Sequence, residues 1–410
     1  MWYINKKQQP NDRDVKMELL SQEVKGFLSN SSMIRRMFEA GIELKKQYGE
    51  DNVYDFSLGN PDLPPPPEVA ETMAELAADA AKPFAFGYMP NAGSMDARNA
   101  LASLLTAEQQ MEFPASHVIA TCGAAGGINA FFRAVLERGD EVLCPSPYFV
   151  EYGFYAGNAG GVLKPVPTKS DFSLDVDAIA AAITAKTRAI IINSPNNPTG
   201  KIYCRAELEA VAEVLREKRR QFGRMIYIVA DEPYRFLNFD GLEIPSLADI
   251  YDGTAVIGSF SKSLSLPGER LGYIGISPKL ENAAELLGAL TLTNRILGFV
   301  NAPVVGQKLI EKCWNCQVDL DIYRRRRDAM AKVLDDAGIE YEMPRGAFYF
   351  FPKSPVADER IFIDALLKER VLAVPGRGFG APGYFRLAFC VSEKSITASA
   401  ESFKRAVKSL

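Results

Sequence analysis

Short apolar runs recur through the middle of the chain and alternate with longer stretches of helical spacing. The runs at 118–122, 141–144, 189–192, 225–230 and 255–258 each give way to a polar or glycine-rich turn, and helical patterns follow at 128–137 and 206–220. Strands that are apolar on consecutive positions and alternate with helices predict an α/β unit with a mostly parallel sheet covered on both faces. In such a sheet ligands bind beyond the carboxyl ends of the strands. Five turns stand at those ends: Gly123-Ala-Ala-Gly-Gly127, Pro145-Ser-Pro-Tyr-Phe149, Asn193-Ser-Pro-Asn-Asn-Pro-Thr-Gly200, Asp231-Glu-Pro-Tyr234 and Ser259-Phe-Ser-Lys262. Their polar side chains are therefore expected to converge.

The two ends of the chain are patterned differently. Residues 1–25 carry no usable period and are expected to form an arm, while 31–45 has helical spacing with serine available as an N-cap. A short strand at 53–56 runs into a proline-rich connector that cannot be helical. Helices are expected at 68–81 and 95–105. After about 297 the spacing predicts one long helix over 303–334, whose arginine run 324–327 spreads around the axis and reads as a solvated, ion-paired surface. Strand 346–351, helix 361–369 and strands 371–374 and 385–390 then describe a smaller α+β unit, joined to the first by that long helix.

Composition narrows the function classes. The 410 residues are 47% hydrophobic and 24% charged with a net charge of −4, so a packed core is expected and a basic nucleic-acid footprint is absent. No uncharged apolar run of about 18 residues occurs, and the first ten residues turn polar too early for a signal peptide, which predicts a cytoplasmic protein without membrane spans. The six cysteines are scattered and read as reduced thiols; Cys313-Trp-Asn-Cys316, lacking a second pair, reads as packing inside a helix. A single histidine, His117, excludes a multi-histidine metal site and leaves acid–base work to lysine, tyrosine or a cofactor. Gly376-Arg-Gly-Phe-Gly-Ala381 resembles a dinucleotide fingerprint but precedes a proline rather than a helix, so a glycine-rich loop is its reading.

Lys262 taken alone is a surface or phosphate lysine; beside the other strand-end residues it reads differently. A phosphate suits the helix that follows Gly123, where free N–H groups and the dipole favour an anion, with Ser259, Ser261 and Arg270 completing the cradle. Tyr148-Phe149 offers a stacking partner for an aromatic ring, and Asp231 a carboxylate for a protonated ring nitrogen. A lysine able to form a Schiff base completes the set for pyridoxal 5′-phosphate.

The motifs Ser194-Pro-Asn-Asn-Pro-Thr-Gly200, Asp231-Glu-Pro-Tyr234, Ser259-Phe-Ser-Lys262 with Gly268-Glu-Arg270-Leu-Gly-Tyr273, and Phe385-Arg386-Leu-Ala occur in this order over residues 50–410. In these motifs the chain resembles class I/II aminotransferases, the aspartate aminotransferase superfamily of fold type I enzymes. The resemblance implies a large domain (61–300) with a mostly parallel, seven-stranded-type sheet flanked by helices, and a smaller discontinuous α+β domain (26–60 and 301–410). It implies that Lys262 links to pyridoxal 5′-phosphate and moves the proton at the substrate Cα. Asp231 would pair with the ring nitrogen, Tyr234 and Asn197 with the ring's phenolic oxygen, and Phe149 would stack on the ring. The backbone at Ala124 and Ala125, with Ser259, Ser261 and Arg270, would hold the phosphate, and Tyr88 would reach the phosphate of a neighbouring subunit in a homodimer. Arg386 would clamp the substrate carboxylate, helped by Gly59 and Asn197. The turn at 122–127 lacks the hydroxyl or glutamine often seen there, which shifts phosphate binding toward the backbone.

Transfer of an amino group from an L-amino acid to a 2-oxo acid by a ping-pong mechanism is the expectation, with aspartate and 2-oxoglutarate as the substrates. Arg295 stands about where some relatives place an arginine for a distal carboxylate, and equally suits an ion pair on a helix surface. A carbon–sulfur lyase or an aminocyclopropane-carboxylate-synthase-like enzyme shares the cofactor motifs. A non-catalytic regulator would carry a domain-sized DNA-binding module before the match.

Overall fold

The computed structural model describes residues 18–30 and 33–410. Its centre is a seven-stranded sheet of β1 (Val118–Cys122), β2 (Glu141–Ser146), β3 (Val162–Pro167), β4 (Thr187–Asn193), β5 (Tyr227–Asp231), β6 (Thr254–Ser259) and β7 (Leu271–Ile276). The spatial order is β1-β7-β6-β5-β4-β2-β3, and all neighbours are parallel except that β7 runs against both β1 and β6. All five expected strands are present. The apolar pattern does not announce β3 and β7, for two reasons. β3 contains Pro165 and Pro167, which a ladder tolerates because β3 is an edge strand. β7 contains Gly272 and Gly275, which interrupt its apolar pattern. A Cβ at Gly272 would strike the backbone of Gly123 and Ala124, so this glycine marks a close approach of a helix start to the sheet.

Helices cover both faces. Gly123–Val135 starts directly at the end of β1, not at 128, and buries Ile128, Phe131, Phe132 and Val135 at i, i+3, i+4 and i+7. On the other face Arg205–Phe222 buries Leu208, Val211, Ala212 and Leu215 with the same spacing, and Gly223 at φ 63° ends it. These faces are the cores on either side of the sheet.

A separate core gathers residues from both ends of the chain. Phe56, Phe348, Phe350, Phe362, Phe385, Phe389 and Phe403 are buried together there. Strand Tyr54–Asp55 pairs in parallel with Val371–Leu372, while Val374–Pro375, Phe385–Ala388 and Tyr349–Phe350 form a three-stranded antiparallel sheet. Helices Leu320–Ala337, Glu359–Lys368 and Ala400–Lys408 pack against them.

Four expectations are corrected. The stretch 303–334 is two helices, Val304–Cys313 and Leu320–Ala337, so no single long helix joins the cores. The break is stabilised locally: Asp319 caps the second helix by accepting from Asp321 N at 2.8 Å, and Val318 N donates to the Ser263 carbonyl at 2.8 Å. Cys313 therefore ends a helix and Cys316 lies in the turn beyond it, rather than both packing inside one helix. The arginine run is only half solvated. Arg326 and Arg327 are buried and meet Asp62 at 2.6 Å and Asp240 at 3.0 Å, because a charge leaves water only with a partner. Finally, part of the expected arm is helical, Gln22–Asn30, with Phe27 edge-on to Phe154 at 4.9 Å; a tertiary contact outweighs the missing period. Residues 1–17 and the capping serines Ser31 and Ser32 lie outside the described residues. Among the described residues no helix is long and apolar enough to cross a membrane.

Candidate active site

The carboxyl ends of β1, β2, β4, β5 and β6 open into one cavity of about 400 Å³. Leu58, Gly59, Tyr349 and Arg386, from the ends of the chain, form the opposite wall. Of the residues expected from sequence, Gly59, Ala124, Ala125, Phe149, Asn197, Asp231, Tyr234, Ser259, Ser261, Lys262, Arg270 and Arg386 all line it. Two do not. Tyr88 is 91% exposed and Arg295 is exposed, both outside this cavity.

Lys262 sits in the single helical turn Phe260–Ser263 that directly follows β6. Its Nζ donates to the Gly59 carbonyl at 2.5 Å and lies 5.5 Å from the centre of the Phe348 ring. Burial lowers its pKa to about 8, with the cations Arg386 and Arg270 pushing the same way and Cys390 opposing. The neutral fraction near pH 7 thereby rises from about one in a few thousand to about one in ten. The amine is thus poised to act as a nucleophile or a base.

Asp231 ends β5 and is 6% exposed. Burial pushes its pKa up to about 7; the Tyr152 hydroxyl, donating to Oδ2 at 2.5 Å, pulls it down, and neighbouring Glu232 pushes it up. The other oxygen, Oδ1, is buried without a hydrogen-bond partner among the described residues. A buried carboxylate oxygen without a partner is costly unless something cationic or N–H bearing completes it. Asn193 steadies this strand end twice, donating from Nδ2 to the Asp231 carbonyl at 2.8 Å and accepting from Asn197 N at 2.7 Å.

At the end of β1, the helix begins at Gly123 with φ 70°, and its N-cap residue Cys122 makes no side-chain cap. The first N–H groups are therefore free for an anion. Arg270 lies over them, so close that a Cβ at Gly123 would come within 2.8 Å of its Nη2. Ser259 and Ser261 line the same cavity.

Arg386 is buried between two aromatic rings, its guanidinium carbon 4.7 Å from the centres of both Tyr349 and Phe379. Nη1 donates to Asn197 Oδ1 at 3.1 Å and Nη2 to the Ser57 carbonyl at 2.7 Å, while Nε has no partner among the described residues. Burial lowers its pKa, yet an arginine stays charged. A buried guanidinium with an unfilled donor suits a carboxylate.

Sequence reasoning missed Tyr152 and Tyr349. Tyr152 stands three residues after Phe149 and packs edge-on to it at 5.6 Å, a helical offset that could have singled it out. Tyr349 lies in an unbroken aromatic run, Phe348-Tyr-Phe-Phe351, where nothing local says which ring faces the cavity.

The residues present fit pyridoxal 5′-phosphate: an orphaned carboxylate oxygen for the ring nitrogen, an uncapped helix start with an arginine for the phosphate, and a lysine of lowered pKa. Comparison with known proteins agrees. Residues 51–403 match the family model for aminotransferase class I and II. The chain is 31% identical over 373 residues to a probable aspartate/prephenate aminotransferase of Aquifex aeolicus, covering 88% of this chain and 92% of that protein. Its fold superposes with a TM-score of 0.91 on an amino transferase from Eubacterium rectale, 37% identical, covering 96% of this chain and 99% of the other. The aspartate aminotransferase of Thermus thermophilus, solved with maleate, gives 0.85 at 29% identity, covering 95% and 100%. With the motifs in one cavity and the likeness running through nearly the whole chain, this protein belongs to the class I and II aminotransferases and is a pyridoxal-phosphate-dependent enzyme.

Proposed function

We propose that this aminotransferase takes its amino group from aspartate and passes it to 2-oxoglutarate in two half-reactions at the cavity described above. The observation that carries the site assignment is that Lys262, the buried Arg386 and Asp231, whose Oδ1 has no partner among the described residues, all line one cavity. The cofactor, when bound, supplies an electron sink for the pair left on the substrate Cα. Asp231 would hold the ring nitrogen protonated, and Tyr234 and Asn197 would bond the ring's phenolic oxygen. Phe149 would cover one ring face, and Ala124, Ala125, Ser259, Ser261 and Arg270 would hold the phosphate. Arg386, with Gly59 and Asn197, would fix the substrate carboxylate so that the Cα proton meets Lys262 Nζ. That nitrogen would take up the proton and return it to the neighbouring carbon, and its lowered pKa suits both steps. The second core, which carries Arg386 and packs around Gly59, would move with substrate and exclude water.

Tyr152 would act through Asp231. Tyr152→Phe removes the donor to Oδ2 and leaves a buried carboxylate less stabilised as an anion. Cofactor retention should then weaken about tenfold or more, the scale of a hydrogen bond to a charged group. Equilibrium dialysis of the cofactor checks this, and unchanged retention would show that the bond does nothing for the ring nitrogen.

The substrate reading draws on Arg295 and on a second copy of the chain. Phe84 and Tyr88 are more than nine-tenths exposed, and Phe86, Ile296 and Leu297 add apolar surface. Such surface on a soluble enzyme marks an interface. In a homodimer Tyr88 and Arg295 would reach the other copy's cavity, Arg295 meeting a side-chain carboxylate. The names of relatives support an aspartate donor, since the Aquifex and Thermus proteins carry it in theirs. A panel of donors against 2-oxoglutarate tests the reading. Arg295→Ala should raise KM for aspartate about tenfold or more while leaving alanine within about twofold, as loss of one charged contact predicts. Equal effects on both donors would remove Arg295 from the site.

A further inference from the structure

Tyr349 touches three parts of the site at once. Its hydroxyl is 2.9 Å from the hydroxyl of Tyr234. Its ring is one of the two plates holding the Arg386 guanidinium, 4.7 Å from the ring centre. A Cβ on Gly59, whose carbonyl accepts from Lys262, would land on the Tyr349 hydroxyl. The charged and titratable groups around the two hydroxyls are Arg386, Cys390 and Asp231.

Two hydroxyls in contact share one hydrogen bond, so only one of them donates to the other. If Tyr234 donates to Tyr349, its proton is used inward. If Tyr349 donates to Tyr234, the Tyr234 proton is free to point into the cavity. An anionic oxygen in the cavity favours the second arrangement, because each donor in such a chain strengthens the next. We propose that Tyr349 is a positioning residue that turns the Tyr234 proton toward the cofactor's phenolic oxygen while its ring holds Arg386 in line for the substrate carboxylate. This rests on the assignment of Tyr234 above. The two functions use different parts of one side chain, so they separate by mutation.

With the cofactor bound through Lys262, the visible band would change with pH as the linked nitrogen lost its proton. A firmer hold on the neighbouring anionic oxygen lowers that midpoint, and a weaker hold raises it. Tyr349→Phe keeps the ring and removes the hydroxyl. It should raise the midpoint by about 0.5–1 pH unit, the effect of one lost neutral hydrogen bond, and leave KM for the donor within about twofold. Tyr349→Leu also removes the plate under Arg386 and should raise KM about tenfold.

A double-mutant cycle in the spectral midpoint decides the case. Tyr234→Phe alone should raise the midpoint, and Tyr349→Phe added to it should move the midpoint no further. Removing both hydroxyls leaves no buried orphan, so the double variant folds even where the single one is weakened. No shift with Tyr234→Phe alone overturns the Tyr234 assignment. A shift there with none for Tyr349→Phe overturns the positioning role, and so does an additive shift in the double variant. An unchanged KM for Tyr349→Leu overturns the part concerning Arg386.

Discussion

Lys262→Ala is expected to yield a folded protein that shows no visible band from a covalently linked cofactor and turns over at least about 10⁴-fold more slowly. Among the described residues Lys262 is the one lysine on the cavity wall, so none of their other amines stands ready to take the link or the proton. The fold should survive. The Nζ hydrogen bond goes to a single carbonyl, Gly59, and alanine is at ease in the short helix that carries the residue. Absorbance spectra, steady-state rates and a circular-dichroism melt check the three parts separately. Turnover within tenfold of the parent would refute the lysine's role, whatever the spectrum shows.

Asp231→Asn should cost about 3–5 kcal/mol in the loaded enzyme, roughly 10²- to 10⁴-fold in kcat/KM, because it removes one member of a buried charge pair. The cofactor-free protein should respond in the opposite sense. There the Asp231 pKa is about 7, above the roughly 3.9 of an unfolded chain, so the folded state keeps a proton that the unfolded chain releases. Stability from this group is whole below about pH 4, declines as pH rises toward 7, and is lost above it. Asparagine abolishes that decline. The cofactor-free variant should therefore melt higher than the parent at pH 8 and alike near pH 4. Melting curves with and without cofactor at both values test the sign. A cofactor-free variant that melts lower than the parent at pH 8 would show that Asp231 is not a strained carboxylate awaiting a cation.

How much of this was legible in the sequence depended on whether the signal was local. Strand ends followed by short polar motifs are local, and the convergence of Lys262, Asp231, Asn197 and the Gly123 turn could be read from them. Arg386 could be read only through its motif, since nothing near it in sequence indicates burial between Tyr349 and Phe379. Tyr349 stayed hidden because its significance lies in contacts with residues 115 and 290 positions away, Tyr234 and Gly59. Pattern failed in the fold for equally physical reasons. Gly272 and Gly275 interrupt the apolar pattern of β7, Gly272 for the sake of a close approach, and the apolar spacing of 303–334 continued across a break held open by Asp319 and by Val318 bonding to Ser263. Buried Arg326 and Arg327 defeated a rule about charge because their carboxylates, Asp62 and Asp240, come from elsewhere in the chain.

The second core draws Phe56 from near one end of the chain and Phe385, Phe389 and Phe403 from near the other. The central sheet, in contrast, is complete within 118–276. A ribosome makes these parts in order, so the sheet and the helices on it can close while residues beyond about 340 are still unmade. The apolar side chains around Phe56 must wait, exposed, for partners some 330 residues downstream. The half of the site that would grip the substrate carboxylate would then be completed last, with Arg386 taking its place after the platform for the cofactor. Growing chains stalled before residue 385 should in consequence present the cofactor platform without the carboxylate clamp, and carry the apolar surface that chaperones recognise.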